Sequence, residues 1–151
     1  MSAYADTSFL VSLYVLDSNS ALAAAQMKHI KLPVLLTPFG EVELVNALYL
    51  RLFRKELVRS TVKAAHSLFT RDIQDGVFDT EPLMPTVYAR AKLISPKQTP
   101  HLGTRTLDVL HVASALVLQA DAFFTFDRNQ EKLAKAVGLV VADFSRPHAR
   151  P

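Results

Sequence analysis

The feature that most constrains this chain is an alternation. Short, apolar, β-prone runs recur along it, and each is followed by a longer segment of helical character. The runs are SAYA, ending at Asp6; PVLLT; VFDTEPL, after Gly76; DAFFTF; and LVVADF, after Gly138. Between them, TSFLVSLYVL fits helix or strand on periodicity alone, and SALAAAQMKHI is an alanine-rich helix with Asp17 or Ser18 as its N-cap. GEVELVNALYLRLFRK is a helix opened by Thr37 at the cap and Pro38 at the first helical position. Further helices are expected around 60–72, over 84–94, in TLDVLHVASALVLQ, and in DRNQEKLAKAV, which Gly138 stops; SPKQTP reads as a loop. Strands alternating with helices argue for parallel pairing with helices on both faces. The expected fold is therefore α/β, with a mostly parallel central sheet of four to five strands.

The 151 residues suit one domain, and a 50% hydrophobic composition can fill its core. Residues 1–144 are expected to form that domain. The remainder, SRPHARP at 145–151, has two prolines and two arginines and is expected to be a disordered basic tail. The chain has no cysteine, so disulfides, zinc–thiolate sites and thiol nucleophiles are excluded together. No run is long and apolar enough to span a bilayer, and no basic leader precedes an apolar run at the start, which points to a cytoplasmic protein away from membranes. The net charge of +3 is a weak pointer to nucleic acid on its own. It gains weight if several acids are gathered in one pocket, because the rest of the surface is then more positive.

Four acids stand where an α/β fold builds its active site. Asp6 follows the first strand and Asp127 follows the FFTF run, and open parallel sheets bind ligands beyond the carboxyl ends of their strands. Asp108 lies in the first turns of its helix, and Glu43 lies early in the helix after the second strand. Each has a plain structural role available. Asp6 can cap a helix, Asp127 with Gln130 makes a capping-box pattern, Asp108 suits the helix dipole, and Glu43 can be solvated. Four such coincidences at one sheet edge are less economical than a shared site. Clustered carboxylates disfavour one another's charge unless a cation offsets it, and oxygen ligands without sulfur select magnesium, manganese or calcium. Glu41 competes with Glu43, since residues two apart point to nearly opposite faces of a helix and only one can face the pocket.

Taken in order, ADTSFLVSLY, EVELVNAL, TLDVLHVASAL and TFDRNQEKLAKAVGL resemble the PIN domain, and within it the VapC-type toxins of toxin–antitoxin pairs. The resemblance runs from Asp6 to Gly138. It implies a single PIN-like domain acting as a Mg²⁺- or Mn²⁺-dependent endoribonuclease on RNA, a cognate antitoxin as partner, and a homodimer. It selects Glu43 over Glu41, because Glu43 precedes the small–apolar pair Ala47-Leu48 with the family's spacing. It makes Asp6, Glu43, Asp108 and Asp127 the catalytic and metal-binding acids, with Asp6 and Asp108 as the direct ligands. Thr125 matches the threonine of the T-x-D element and is expected to orient the pocket by hydrogen bonding.

Arg105 and Arg128 flank Asp108 and Asp127 and are candidate phosphate contacts. His111, three residues after Asp108, is conceivable as a general base, although a packed helix histidine is the simpler reading. Two other readings compete. A receiver-like or phosphatase-like phospho-aspartate domain would need a paired acid and a lysine, and DTS lacks the D-x-D pattern. A catalytically silent PIN-like module that only binds a protein partner would not need all four acids.

Overall fold

A computed structural model describes residues 1–144, so the expected basic tail at 145–151 lies outside the described residues. The alternation becomes a four-stranded parallel sheet of β1 (Ala3–Ala5), β2 (Val34–Leu36), β3 (Phe78–Thr80) and β4 (Ala122–Phe124), in the order β3-β2-β1-β4. The helices are α1 (Thr7–Tyr14), α2 (Ser20–His29), α3 (Pro38–Phe53), α4 (Arg59–Gln74), α5 (Pro85–Leu102), α6 (Thr106–Val117) and α7 (Arg128–Ala136).

The central strands β1 and β4 are buried on both faces, and the strand period of two divides the core. Ala3, Ala5, Val34, Leu36, Phe78 and Phe124 pack with residues of α1–α4. Tyr4 and Phe123 point the other way, into a cluster with Val87, Ala91, Val112 and Leu133 of α5, α6 and α7. The Tyr4 and Phe123 rings stack there at 5.7 Å across the β1–β4 pair. This pairing joins the start of the chain to near its end: Ala3, Tyr4 and Ala5 lie opposite Ala122, Phe123 and Phe124. The direction of strand placement reverses between β1 and β4, the switch point at which such sheets open a crevice.

Several expectations are refined. TSFLVSLYVL resolves as helix, because Asp6 caps it through a bond from Phe9 N. Thr37 caps α3 by accepting from Gly40 N, as the sequence suggests. Neither Asp17 nor Ser18 caps α2. The N-cap is Asn19, without a side-chain bond, while the Asp17 carboxylate closes the preceding turn by taking Asn19 N and Ser12 Oγ, both at 2.8 Å. LVVADF gives a single bridge, Val141 to Phe123, rather than a strand. Beyond it Phe144 stacks on Phe9 and packs at a tilt against Phe126.

The largest correction concerns SPKQTP. It is not a loop: α5 runs through Pro96 and Pro100 to Leu102 and ends on Gly103 in the left-handed conformation. Both prolines are exposed, as is Lys92, whose carbonyl loses its donor to Pro96. Water can satisfy a carbonyl on that side, while Val87, Ala91 and Ile94 remain buried on the other. Packing of the apolar face therefore outweighs the local cost. Because Pro96 is exposed, Pro96→Ala is expected to raise stability by about 1–2 kcal/mol, the helix-interior penalty less the entropy advantage of proline in the unfolded chain. A urea midpoint that stays put or falls would contradict this account of the helix.

Candidate active site

Asp6, Glu43, Asp108 and Asp127 line one cavity of about 430 Å³ beyond the carboxyl ends of β1 and β4. Glu41 does not join them; it hydrogen-bonds Thr80 at the end of β3. Thr7, Ser8, Ser12, Arg51, Arg105 and Gln130 also line the cavity. Arg128 lies elsewhere, in a separate cleft with Glu131, Lys135 and Phe144. No lysine lines the acid cavity among the described residues, which disfavours the receiver-like alternative.

Asp6 is the most constrained acid, with only 1% of its surface exposed. Its Oδ1 accepts from Ser8 Oγ (2.7 Å) and Phe9 N (3.0 Å), and its Oδ2 accepts from Thr125 Oγ1 (2.6 Å). A carboxylate offers about four lone-pair sites, so these three bonds leave little unspent. Ser8 and Thr125 are locked in turn. Ser8 Oγ takes the backbone N–H groups of Phe126 and Asp127, and Thr125 Oγ1 also takes Asp127 N. Burial raises the Asp6 carboxyl above its ordinary value of 3.8, and the opposing pull of His111, Thr125, Ser8 and Phe9 N does not cancel it. A cap alone does not explain such a group, since Asn or Ser caps as well at no cost in buried charge.

Glu43 sits on α3 with 26% of its side chain exposed. Its Oε2 accepts from Thr7 Oγ1 at 2.8 Å and meets His111 Nε2 in a closer contact. Burial pushes its carboxyl up, but the bond and charge of His111, the Thr7 bond and nearby Arg105 prevail, and the net shift is downward. Asp108, at the third position of α6, accepts from Arg105 N at 3.0 Å and lies 3.5 Å from Arg105 Nε. The Arg105 side chain is otherwise 82% exposed at the cavity rim. Asp127 caps α7 with Oδ1 alone, accepting from Asn129 N (2.7 Å) and Gln130 N (3.0 Å). The reciprocal half of the capping box is missing: Asp127 N goes to Ser8 and Thr125 instead, and Gln130 Oε1 is buried without a partner.

The donors fit a hard divalent cation: four carboxylates, no thiol, and an unpartnered amide oxygen on a residue lining the same cavity. Among the described residues no three of His, Asp and Glu already stand close enough to form a ready cage. Magnesium takes only one or two protein carboxylates directly and keeps several waters.

An acid-lined crevice at the switch point of a parallel α/β sheet defines a class of proteins that gather charge at strand ends. The chain belongs to one family within it: the PIN-domain profile matches residues 3–136, and the chain is a PIN-domain protein. Its fold is similar to that of VapC20 from Mycobacterium tuberculosis, a sarcin-ricin loop cleaving toxin (TM-score 0.68, 16% identity, covering 91% of this chain and 96% of that one). It is also similar to FitAcB from Neisseria gonorrhoeae (TM-score 0.67, 16% identity, 96% and 99%) and to VapBC-1 from nontypeable Haemophilus influenzae (TM-score 0.62, 15% identity, 97% and 100%). No curated protein matches by sequence.

Sequence reasoning missed Thr7, Ser8, Arg51 and Gln130. The signal for the first two was present, because D-T-S directly after a strand puts two hydroxyls in the turn that faces the crevice. Arg51 is three turns from the start of α3 and carries no local mark.

The opposite shifts of two neighbouring acids give a signed expectation. Asp6, raised, weakens the fold as pH climbs from its ordinary value through its folded one. Glu43, lowered, contributes stability above its ordinary value of 4.5 that is lost as pH falls through its folded one. In metal-free buffer at pH 7, Asp6→Asn should therefore leave the thermal midpoint unchanged or higher, and Glu43→Gln should lower it. Two shifts of the same sign would refute this view of the pocket.

Proposed function

We propose that this chain is a Mg²⁺- or Mn²⁺-dependent endoribonuclease and the toxin of a toxin–antitoxin pair. One observation carries the reading: four acids from four separate chain segments share one cavity in a PIN-domain protein whose fold resembles an RNA-cleaving toxin. Asp6, Glu43, Asp108 and Asp127 would hold the ion, with Asp6 and Asp108 as direct ligands. Bound there, the cation would lower the pKa of water and offset charge on the phosphodiester.

The protein groups supply orientation and electrostatics. Ser8 and Thr125 fix the Asp6 carboxylate in one direction. Thr7 and His111 keep Glu43 in its ionised, accepting form. Arg105 and Arg51, both lining the cavity, suit a phosphate that enters among its acids. Arg128, in its separate cleft, takes no part in this cavity.

Protein partners are part of the same proposal: a cognate antitoxin and a second copy of the chain. Phe53, Val58 and Leu68 on the α3–α4 hairpin are exposed, as are Tyr88 and Leu93 on α5. Exposed apolar side chains on both helical layers offer surface that partner chains can cover. No helix among the described residues is long and apolar enough to cross a membrane.

The test is cleavage of a structured RNA by antitoxin-free protein, with and without manganese. Cleavage should require the metal, and Asp108→Asn should reduce it by at least ~100-fold, the scale of losing a ligand that acts in the transition state. Manganese should also raise the thermal midpoint of the parent and much less that of the variant. Metal-independent cleavage, or full activity in Asp108→Asn, would overturn the reading. A second expectation separates substrate binding from chemistry: Arg105→Ala should raise KM for RNA several-fold and flatten its salt dependence. A change confined to kcat would place Arg105 in another role.

A further inference from the structure

His111 is the strongest feature that neither capping nor metal ligation explains. It is 2% exposed, on the inner face of α6, and its two ring nitrogens are both engaged. Nε2 meets Glu43 Oε2, with Thr7 Oγ1 3.4 Å away. Because an ionised carboxylate can only accept, this nitrogen is the donor. On the far side, Nδ1 lies 2.8 Å from the Tyr4 hydroxyl, which in turn lies 3.2 Å from Thr37 Oγ1.

The chain Thr37–Tyr4–His111–Glu43 thus links the cap of α3, the centre of β1, α6, and α3 again nearly two turns later. It is a closed brace across the sheet. The site around it is shaped to receive the imidazole. Phe39 packs on the ring at 4.6 Å, and Tyr4 meets it edge-on at 5.8 Å. A Cβ at Gly40 would come within 3.3 Å of Thr37 Oγ1, a tight approach, and would sit in ordinary contact with His111 Cε1 at 3.5 Å.

We propose that His111 is a positioning residue of the nuclease site: braced by Tyr4 and Thr37, it holds the Glu43 carboxylate by Oε2 so that Oε1 is presented to the cation. This inference rests on the proposed nuclease function. It gives Glu43 the fixed orientation that Ser8 and Thr125 give Asp6. A side chain projecting from a helix with three free torsions would otherwise sample several rotamers at an entropic cost on each binding event. Partners of this kind, one bond removed from the ion, commonly change metal affinity or activity by about 10–100-fold when lost.

The experiment compares the parent with Tyr4→Phe, His111→Gln and His111→Leu. Three quantities are read: manganese affinity by calorimetry, kcat and KM on RNA with manganese, and the thermal midpoint in chelator. Tyr4→Phe removes one hydroxyl and keeps the ring against Phe123, so it should fold. It is expected to weaken manganese binding and lower kcat by about 3–10-fold with KM little changed. His111→Leu, which offers no donor, should lose more than 10-fold in both. His111→Gln, which restores an N–H donor, should recover part of that loss. A merely structural role moves only the midpoint: wild-type manganese affinity and kcat in folded Tyr4→Phe, or in folded His111→Leu, would overturn the inference alone. A parent chain that neither binds manganese nor cleaves RNA would overturn the nuclease reading and this inference together.

Discussion

The parallel pairing of β1 with β4 is the constraint on which the site depends. It brings the third residue of the chain opposite residue 122. Asp6 and Thr125 each stand one residue beyond the paired segments, and the Asp6 N–H is held by Phe124 O at 3.0 Å. The bond from Thr125 Oγ1 to Asp6 Oδ2 follows from that register. A slip of either strand by one residue would turn its side chain to the opposite face and break that bond. The rings that secure the register, Tyr4 on Phe123 on one face and Phe9 on Phe124 on the other, therefore act on the site as well as on the core.

Around that seam the pocket sorts its acids by environment. Asp6 is buried, and burial prevails over His111 and the hydroxyl and N–H donors around it. Glu43 is half-open and next to an imidazole and an arginine, which prevail over burial. Asp108 and Asp127 sit at helix N-termini, where backbone N–H groups and the helix dipole stabilise negative charge. The structural roles open to these acids in the sequence are thus real. Asp6 and Asp127 do cap helices, and they do so with some of their oxygens while lining the shared cavity. Capping and cation binding are compatible because a carboxylate has more acceptor sites than a cap uses.

Much of this was legible in the residues. Element types followed from periodicity and from the Thr37-Pro38, Gly76 and Gly138 signals, and the parallel sheet followed from the alternation. The selection of Glu43 over Glu41 needed the resemblance, since both flank the same apolar stripe; in three dimensions Thr80 at the end of β3 claims Glu41. Other features were hidden because they depend on long-range packing. The helix through Pro96 and Pro100 exists because its buried face outweighs two lost backbone bonds. The engagement of Tyr4 with His111 joins residues that only the folded sheet brings together. Arg128, adjacent in sequence to Asp127, is carried to the other side of the first turn of α7, away from the cavity.

The central claim is that side chains from the two ends of the chain together hold one divalent ion or a close pair. Anomalous diffraction from crystals of the antitoxin-free protein grown with manganese tests it most directly. The account predicts a manganese peak among Asp6, Glu43, Asp108 and Asp127, within bonding distance of at least one oxygen of Asp6 or Asp108. Manganese bound only elsewhere on the surface, with that cavity holding water alone at saturating metal, would contradict it.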